Sequence, residues 1–423
     1  MKLLRGFLIF VLLAGAVQSA HSFGIEGSFS TSYESSEEKG GKTEGTWENT
    51  LILDNVKLIN PYLGFNFHGT YSEEEGESFT DIYSAYLEFT SFERALEIKL
   101  GRFSFMGNRF LTLDGAEATV RTDWSFGVTA FGGKPQLFNT DDRKINIDET
   151  LRDTGDRLYG GRIFLNGVKN YSGYVSYSKE EDGDRTIQEL AGIGLGRRFV
   201  SLRDKTVFLS LDGKIDYDME DNDIYRGMAR VYARHKKLGL IADATRIRVE
   251  DGAERHRNLI ISNFSSGKED RYSYTVEYAL TDHYTVYQGT THVVLLNNFG
   301  EWVTGDIYKF GANVNHFKSH GLTSNIEVYL YDGSDSEANG VSFSLDWSIL
   351  RELRFSFEAE YVGRSEIKNG TVGMDKEESI YSIYGELEYD VIKDLTLGVY
   401  AENNRETRYL PENRYGVKAT YSF

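Results

Sequence analysis

The chain has 423 residues, with 47 Lys and Arg against 65 Asp and Glu, a formal net charge of −18 and no cysteine. Such acidity excludes a nucleic-acid partner held by phosphate neutralisation, and the missing cysteines exclude disulfides and thiolate metal sites as sources of stability. With 28 Tyr, 26 Phe and 43 Gly against 3 Pro, and a mean hydropathy of −0.43, the chain resembles neither a disordered acidic polymer nor a helical protein.

Lys2 and Arg5 precede an apolar run from Gly6 to Val17, followed by small and polar residues through Ser22. This is the layout of a secretory signal peptide over residues 1–22. Ala20 and Ser22 offer an A-x-S cleavage site, which sets the mature start near Phe23, with cleavage after Ala20 as the alternative. No Cys follows the run, so lipoprotein processing is excluded. No later stretch approaches the length of apolar sequence that a membrane-spanning helix needs.

Residues 23–423 are expected to form one domain of β-strands with period-two alternation. The first strand, Phe23 to Tyr33, starts right after the signal and leaves no room for a plug domain. In Val207 to Tyr217, Val207, Leu209, Leu211, Ile215 and Tyr217 share one face, against Ser210, Asp212, Lys214 and Asp216. In Ile224 to His235, Arg226, Met228, Arg230, Tyr232 and Arg234 share a face. An arginine facing lipid at mid-depth costs about 2 to 4 kcal/mol, so these three are expected in the lumen. Arg246 and Arg248 on the next strand would extend that patch, although Asp243 lies on the opposite parity.

Later strands repeat the pattern. Val341, Phe343, Leu345, Trp347 and Ile349 oppose Ser342, Ser344, Asp346 and Ser348, and Leu353, Phe355, Phe357, Ala359 and Tyr361 oppose Arg354, Ser356, Glu358 and Glu360. With Lys214 on the basic side, the acidic lumen candidates are Glu327, Glu358, Glu360, Glu386 and Glu388. Segregated charges of this kind would set up a transverse field that orients dipolar solutes; alternatively they pair across neighbouring strands and only keep the lumen wet.

The connections separate a barrel from a soluble sandwich. Long acidic ones, such as 34–45, 134–156, 364–378 and 404–412, alternate with tight ones, such as 59–61, 123–125, 235–237 and 391–394. Outer-membrane barrels have long external loops and short periplasmic turns. All three prolines, Pro61, Pro135 and Pro411, fall in or beside connections. The fold class is therefore all-β: a transmembrane antiparallel up-and-down barrel of about 18 to 22 strands. The best count is the upper figure, with the least defined stretches at 46–58, 258–278 and 284–303. A ring that wide needs water or a folded-in loop inside it, and the long 134–156 connection is the candidate.

The last strand ends Tyr421-Ser422-Phe423. It resembles the C-terminal signature of bacterial outer-membrane barrels, which implies that Tyr421 and Phe423 form the assembly signal and that the barrel-assembly machinery is a partner. Leu100-Gly101-Arg102 and Asp114-Gly115-Ala116 resemble the G-R…D-G-A pair of alginate-export and phosphate-selective porins. Arg102 shares its parity with Leu96, Ile98 and Leu100, so it points outward unless a bulge at Gly101 resets the strand.

The expected function is a Gram-negative porin forming a passive diffusion channel for small hydrophilic solutes, with no cofactor, no metal and no enzymatic step. A substrate-selective anion or saccharide channel and a non-conducting adhesin or structural barrel are the alternatives. Outer-membrane lipid and lipopolysaccharide are the expected surroundings, acidic loop clusters such as Glu73, Glu74, Glu75 and Glu77 being candidate cation bridges to the latter, and self-association into a homo-oligomer is left open. The eight histidines are scattered, without metal-ligand or nucleophile spacing.

Overall fold

The computed structural model describes residues 26–37, 43–58, 61–74, 77–106, 110–137, 155–168, 170–200, 207–247, 269–296, 301–315, 321–334, 336–367, 379–405 and 413–423. They form 22 strands: β1 (Glu26–Glu37), β2 (Thr43–Lys57), β3 (Leu63–Glu74), β4 (Glu77–Thr90), β5 (Leu96–Met106), β6 (Phe110–Arg121), β7 (Phe126–Leu137), β8 (Arg157–Val168), β9 (Tyr171–Asp182), β10 (Arg185–Val200) and β11 (Val207–Asp218). The second half comprises β12 (Asp223–His235), β13 (Leu238–Ile247), β14 (Glu269–Ala279), β15 (Tyr284–Leu296), β16 (Trp302–Asn315), β17 (Leu322–Gly333), β18 (Ser336–Ser348), β19 (Leu353–Ile367), β20 (Ile380–Ile392), β21 (Leu395–Arg405) and β22 (Asn413–Ser422).

Each strand pairs antiparallel with the next, and β22 pairs back onto β1 from Ser28↔Ser422 to Glu37↔Asn413, so the sheet closes and leaves no edge. Beyond that ladder, Gly27 and Phe423 exchange two main-chain hydrogen bonds, of 2.8 and 2.9 Å. One end of the ring carries tight turns, for example between β6 and β7, β12 and β13, and β20 and β21, where Ser125 and Lys236 adopt φ of 62° and 54°. The other end carries the long connections, the extremes lying between β7 and β8 and between β13 and β14. The strand total is the one expected from alternation. The signal peptide, the 138–154 stretch and residues 258–268 lie outside the described residues.

The outer face is apolar because every second residue points there. Leu209, Leu211 and Ile215 of β11 line up with Val231 of β12, and Val341, Phe343, Leu345 and Trp347 of β18 with Tyr361, Ala359, Phe357 and Phe355 of β19. Exposed outward aromatics gather at both rims: Tyr159, Tyr272 and Tyr361 toward the long connections, Phe126, Trp347 and Tyr389 toward the turns. Such girdles belong at two membrane–water interfaces. The apolar band with its two girdles makes this a transmembrane barrel, and the end with long connections is taken as external.

One local expectation changes and another holds. Pro135 lies inside β7 rather than in a loop: it pairs with Leu113 of β6, whereas the β7–β8 ladder ends at Gly133↔Leu158, so its lack of an N–H costs no bond on the β8 side. Arg102 keeps the outward parity of Leu100. The register sets Gly101 opposite Gly115 and Arg102 opposite Asp114, and the guanidinium grips Asp114 through two hydrogen bonds, of 2.6 and 2.7 Å. Gly101 has φ +125°, and a methyl there would strike the Ala85 carbonyl. The glycine is thus required for a close strand approach.

Candidate functional site

The candidate site is the inner face. On β12, Arg226, Met228, Arg230, Tyr232 and Arg234 stand opposite Asp216, Lys214, Asp212, Ser210 and Phe208 of β11. These are the water-facing residues of both strands. Arg230 is flanked in register by Asp212 on one side and Asp243 on the other. One inward row runs Arg162, Ser176, Gly192, Asp216, Arg226 from β8 to β12. Buried Asp216 accordingly feels Lys214, Arg226 and Arg162. Arg162 lies 3.8 Å above the ring of Tyr174, a cation–π contact that fixes the guanidinium on the wall.

A second wall runs from β17 to β22 and onto β1. Glu327, Glu358, Glu360, Glu386 and Glu388 all take the inward parity, as do Glu402 and Glu34. Several of these carboxylates accept hydrogen bonds from tyrosine: Tyr287 to Glu327 at 2.8 Å, Tyr329 to Glu360 at 2.5 Å, Tyr384 to Glu386 at 2.7 Å and Tyr400 to Glu34 at 2.5 Å. Among the described side chains, the cations of this wall are Arg414, 2.5 Å from Glu402, and Arg354, 3.1 Å from Asp390 and 3.6 Å from Glu388, with Lys418 on the same parity.

A construction rule emerges from the register. Tyr287 lies over Gly311, Tyr329 over Gly340, Tyr400 over Gly416, Tyr174 over Gly194 and Phe164 over Gly127, each glycine being the ring's direct cross-strand neighbour. A side chain on any of these glycines would collide with the ring. In most rows the next strand presents a charge at the same level: Glu327 beyond Gly311, Glu34 beyond Gly416, Lys214 beyond Gly194 and Arg121 beyond Gly127. The rings therefore lie along the wall and steady a charged neighbour.

Closure decides which walls face each other. In a ring of 22 strands, β8 to β12 lie half the circuit from β19 to β22 and β1, so the Arg162–Arg234 wall stands across from the greater part of the carboxylate wall. Sequence alone could not supply this, because it needs the β22–β1 seam. It also missed Arg162, Tyr174 and Glu402; alternation does mark Arg414, which shares its parity with Lys418 and Thr420.

Arg246 departs from its expected place. It pairs in register with Gly227 and Asp270, in phase with outward Leu240, Ala242 and Ala244, and binds Asp270 at 2.8 and 3.0 Å on the outer face. The inward parity of β13 instead carries Ile241, Asp243 and Thr245, so both faces mix polar and apolar residues and only register separates them. Arg248 lies outside the described residues. The inner face is not polar throughout either: Val293, Leu295, Val303, Ile307, Tyr329 and Tyr331 form a buried cluster toward the external end, and Phe103, Leu113 and Leu158 a smaller one.

Tyr421 takes the outward parity of β22, beside Phe29 and Leu395, and its ring stacks with that of Phe423 at 6.3 Å. Among the described residues, no group of three or more His, Asp or Glu is arranged to hold a metal ion.

No family model matches the chain, and no curated protein matches it in sequence. Similar solved structures include OccK5 (OpdH) of Pseudomonas aeruginosa, at 12% identity and a TM-score of 0.45, covering 94% of this chain and 98% of that one. OpdQ of the same organism gives 10%, 0.46, 95% and 98%, and the P pilus usher (PapC) translocation pore 11%, 0.44, 94% and 99%. The barrel itself rests on this chain's own hydrogen-bond ladder.

Proposed function

We propose that the chain is a bacterial outer-membrane porin, a passive water-filled channel for small hydrophilic solutes. The observation that carries this reading is the closed ring whose inner face bears an arginine-bearing wall opposite an acidic one, with aromatic rings laid over glycines along both. A transverse field follows from opposed charge, and it favours solutes that carry their own dipole. Neither a cofactor nor a chemical step enters this reading.

The walls differ in how their charge is balanced. The arginines of β12 have Asp212, Asp216 and Asp243 as cross-strand neighbours, whereas many carboxylates of the other wall are held by neutral hydroxyls. The net lumen potential is therefore negative, and the pore prefers cations weakly. This reverses the anion preference that the arginine strand suggests by itself. An anion-selective channel is the second reading, favoured by the grouping of Arg162, Lys214 and Arg226 around Asp216.

Planar-bilayer recording in a salt gradient tests both. Ohmic steps with a reversal potential on the cation side are expected. Replacing Glu386, Glu388 and Glu402 by Gln should move that potential toward anions, and replacing Arg226, Arg230 and Arg234 by Ser should move it further toward cations. An anion-side potential with block by one solute class supports the selective channel instead. Absence of conductance supports the adhesin or structural barrel.

A further inference from the structure

The outer face of β6–β8 is unusual. Ala116, Ala118, Ala130, Gly132 and Gly161 all take the outward parity there, on adjoining strands, which leaves a strip without bulky side chains. At the external edge of this strip stand four outward cations. Arg102 is taken up by Asp114, and Lys179 by Glu181 at 2.8 Å. Lys134 pairs in register with that same Asp114 and Arg157 with that same Glu181, and both are exposed. Glu189 of β10 faces Lys179 in register and accepts a hydrogen bond from Tyr177, so three carboxylates serve four cations.

An outward arginine elsewhere on the barrel shows the opposite balance. Arg246 has Asp270 at 2.8 Å and Asp223 at 3.9 Å, so acid exceeds base there. A positive surplus lies at the Lys134–Arg157 edge, at the level where lipid headgroups meet the barrel. Long basic side chains at that level can extend toward phosphate while their stems stay in the apolar band.

We infer that this edge docks a phosphorylated glycolipid of the outer leaflet, its phosphates on Lys134 and Arg157 and its acyl chains along the Ala116–Gly161 strip. Bidentate guanidinium and ammonium donors suit phosphate oxygens, and a surface without protruding side chains lets several acyl chains pack side by side against it. The inference rests on the outer-membrane placement proposed above, not on the contents of the lumen.

Native mass spectrometry of the detergent-purified full chain, titrated with bis-phosphorylated lipid A and with its dephosphorylated form, tests it. The unmodified protein should retain the phosphorylated lipid at least tenfold more tightly than the dephosphorylated one. K134Q/R157Q should abolish that difference, while R197Q, at the turn end beside Tyr171, should preserve it. Heat-dependent gel migration checks that each variant is folded. Undiminished discrimination between the two lipids by K134Q/R157Q, or equal binding of both lipids by the unmodified protein, overturns the proposal; so does a lipid-free dimer that K134Q/R157Q dissociates, which would give the face to a second copy. Conductance measured on the same preparations separates the two readings, because a silent barrel that still discriminates between the lipids refutes the channel and leaves the docking edge standing.

Discussion

The hydroxyl of Tyr400 donates a hydrogen bond of 2.5 Å to Glu34, a residue 366 positions away in sequence, across the seam where the barrel closes. Gly416 of β22 lies between them in register and provides the floor on which the ring rests. Y400F removes a hydrogen bond to a charged acceptor, worth roughly 1.5 kcal/mol at a water-lined site. G416V forces the ring off the wall and should cost more, about 1 to 3 kcal/mol from overpacking alone plus the lost bond. Thermal shifts of heat-modifiable gel migration should rank G416V below Y400F and both below the unmodified protein; the reverse ranking would refute the seam argument.

The outward Arg102–Asp114 pair makes a prediction of the double-mutant kind. At the external edge of the apolar band, D114A leaves Arg102 without its acid and R102A leaves Asp114 with only its register neighbour Lys134, and each should destabilise the barrel by about 1 kcal/mol. R102A/D114A removes both charges and should recover most of that loss. Urea titration in detergent micelles measures all three; strictly additive losses would show that the pair does not act as a unit.

Gly101 has a backbone conformation that a side chain cannot share without displacing the Ala85 carbonyl. G101A should therefore give little heat-modifiable barrel, whereas alanine at Gly132, whose surroundings are open enough for a methyl, should be tolerated. Comparable folded yields for the two variants would contradict this.

The Phe423 main chain is bonded on both sides to Gly27, and its ring stacks on outward Tyr421. F423A keeps those backbone bonds, so the assembled barrel should melt within about 1 kcal/mol of the unmodified one. If Phe423 and Tyr421 serve as the assembly signal, F423A should slow insertion severalfold in membranes that contain assembly machinery, with little change in pure lipid. An equal slowing in both would make the residue structural alone.

The fold was legible because its faces are chemically distinct over long stretches. Leu209, Leu211 and Ile215 against Ser210, Asp212 and Asp216 admit one interpretation, and so do the strands bearing Phe343 and Phe357. Legibility failed where both faces of a strand are mixed. On β13, Ala242 and Ala244 precede Arg246 while Ile241 accompanies Asp243, so parity cannot name the wet side until register with Gly227 and Asp270 does. Pro135 looked like loop because its usual exclusion from ladders assumes partners on both sides, and here one partner strand has already ended. The juxtaposition of the arginine and carboxylate walls needed the seam, which is a property of the ring rather than of any segment.

The glycine floors beneath Tyr174, Tyr287, Tyr329 and Tyr400 have one further effect. A ring that lies flat adds little thickness, so the bore is governed mainly by the circumference of the backbone hoop. Calibre and electrical character are thereby decoupled: acids and bases beside each tile can be exchanged in descent, altering which solutes are welcomed, while the gauge of the conduit stays the same.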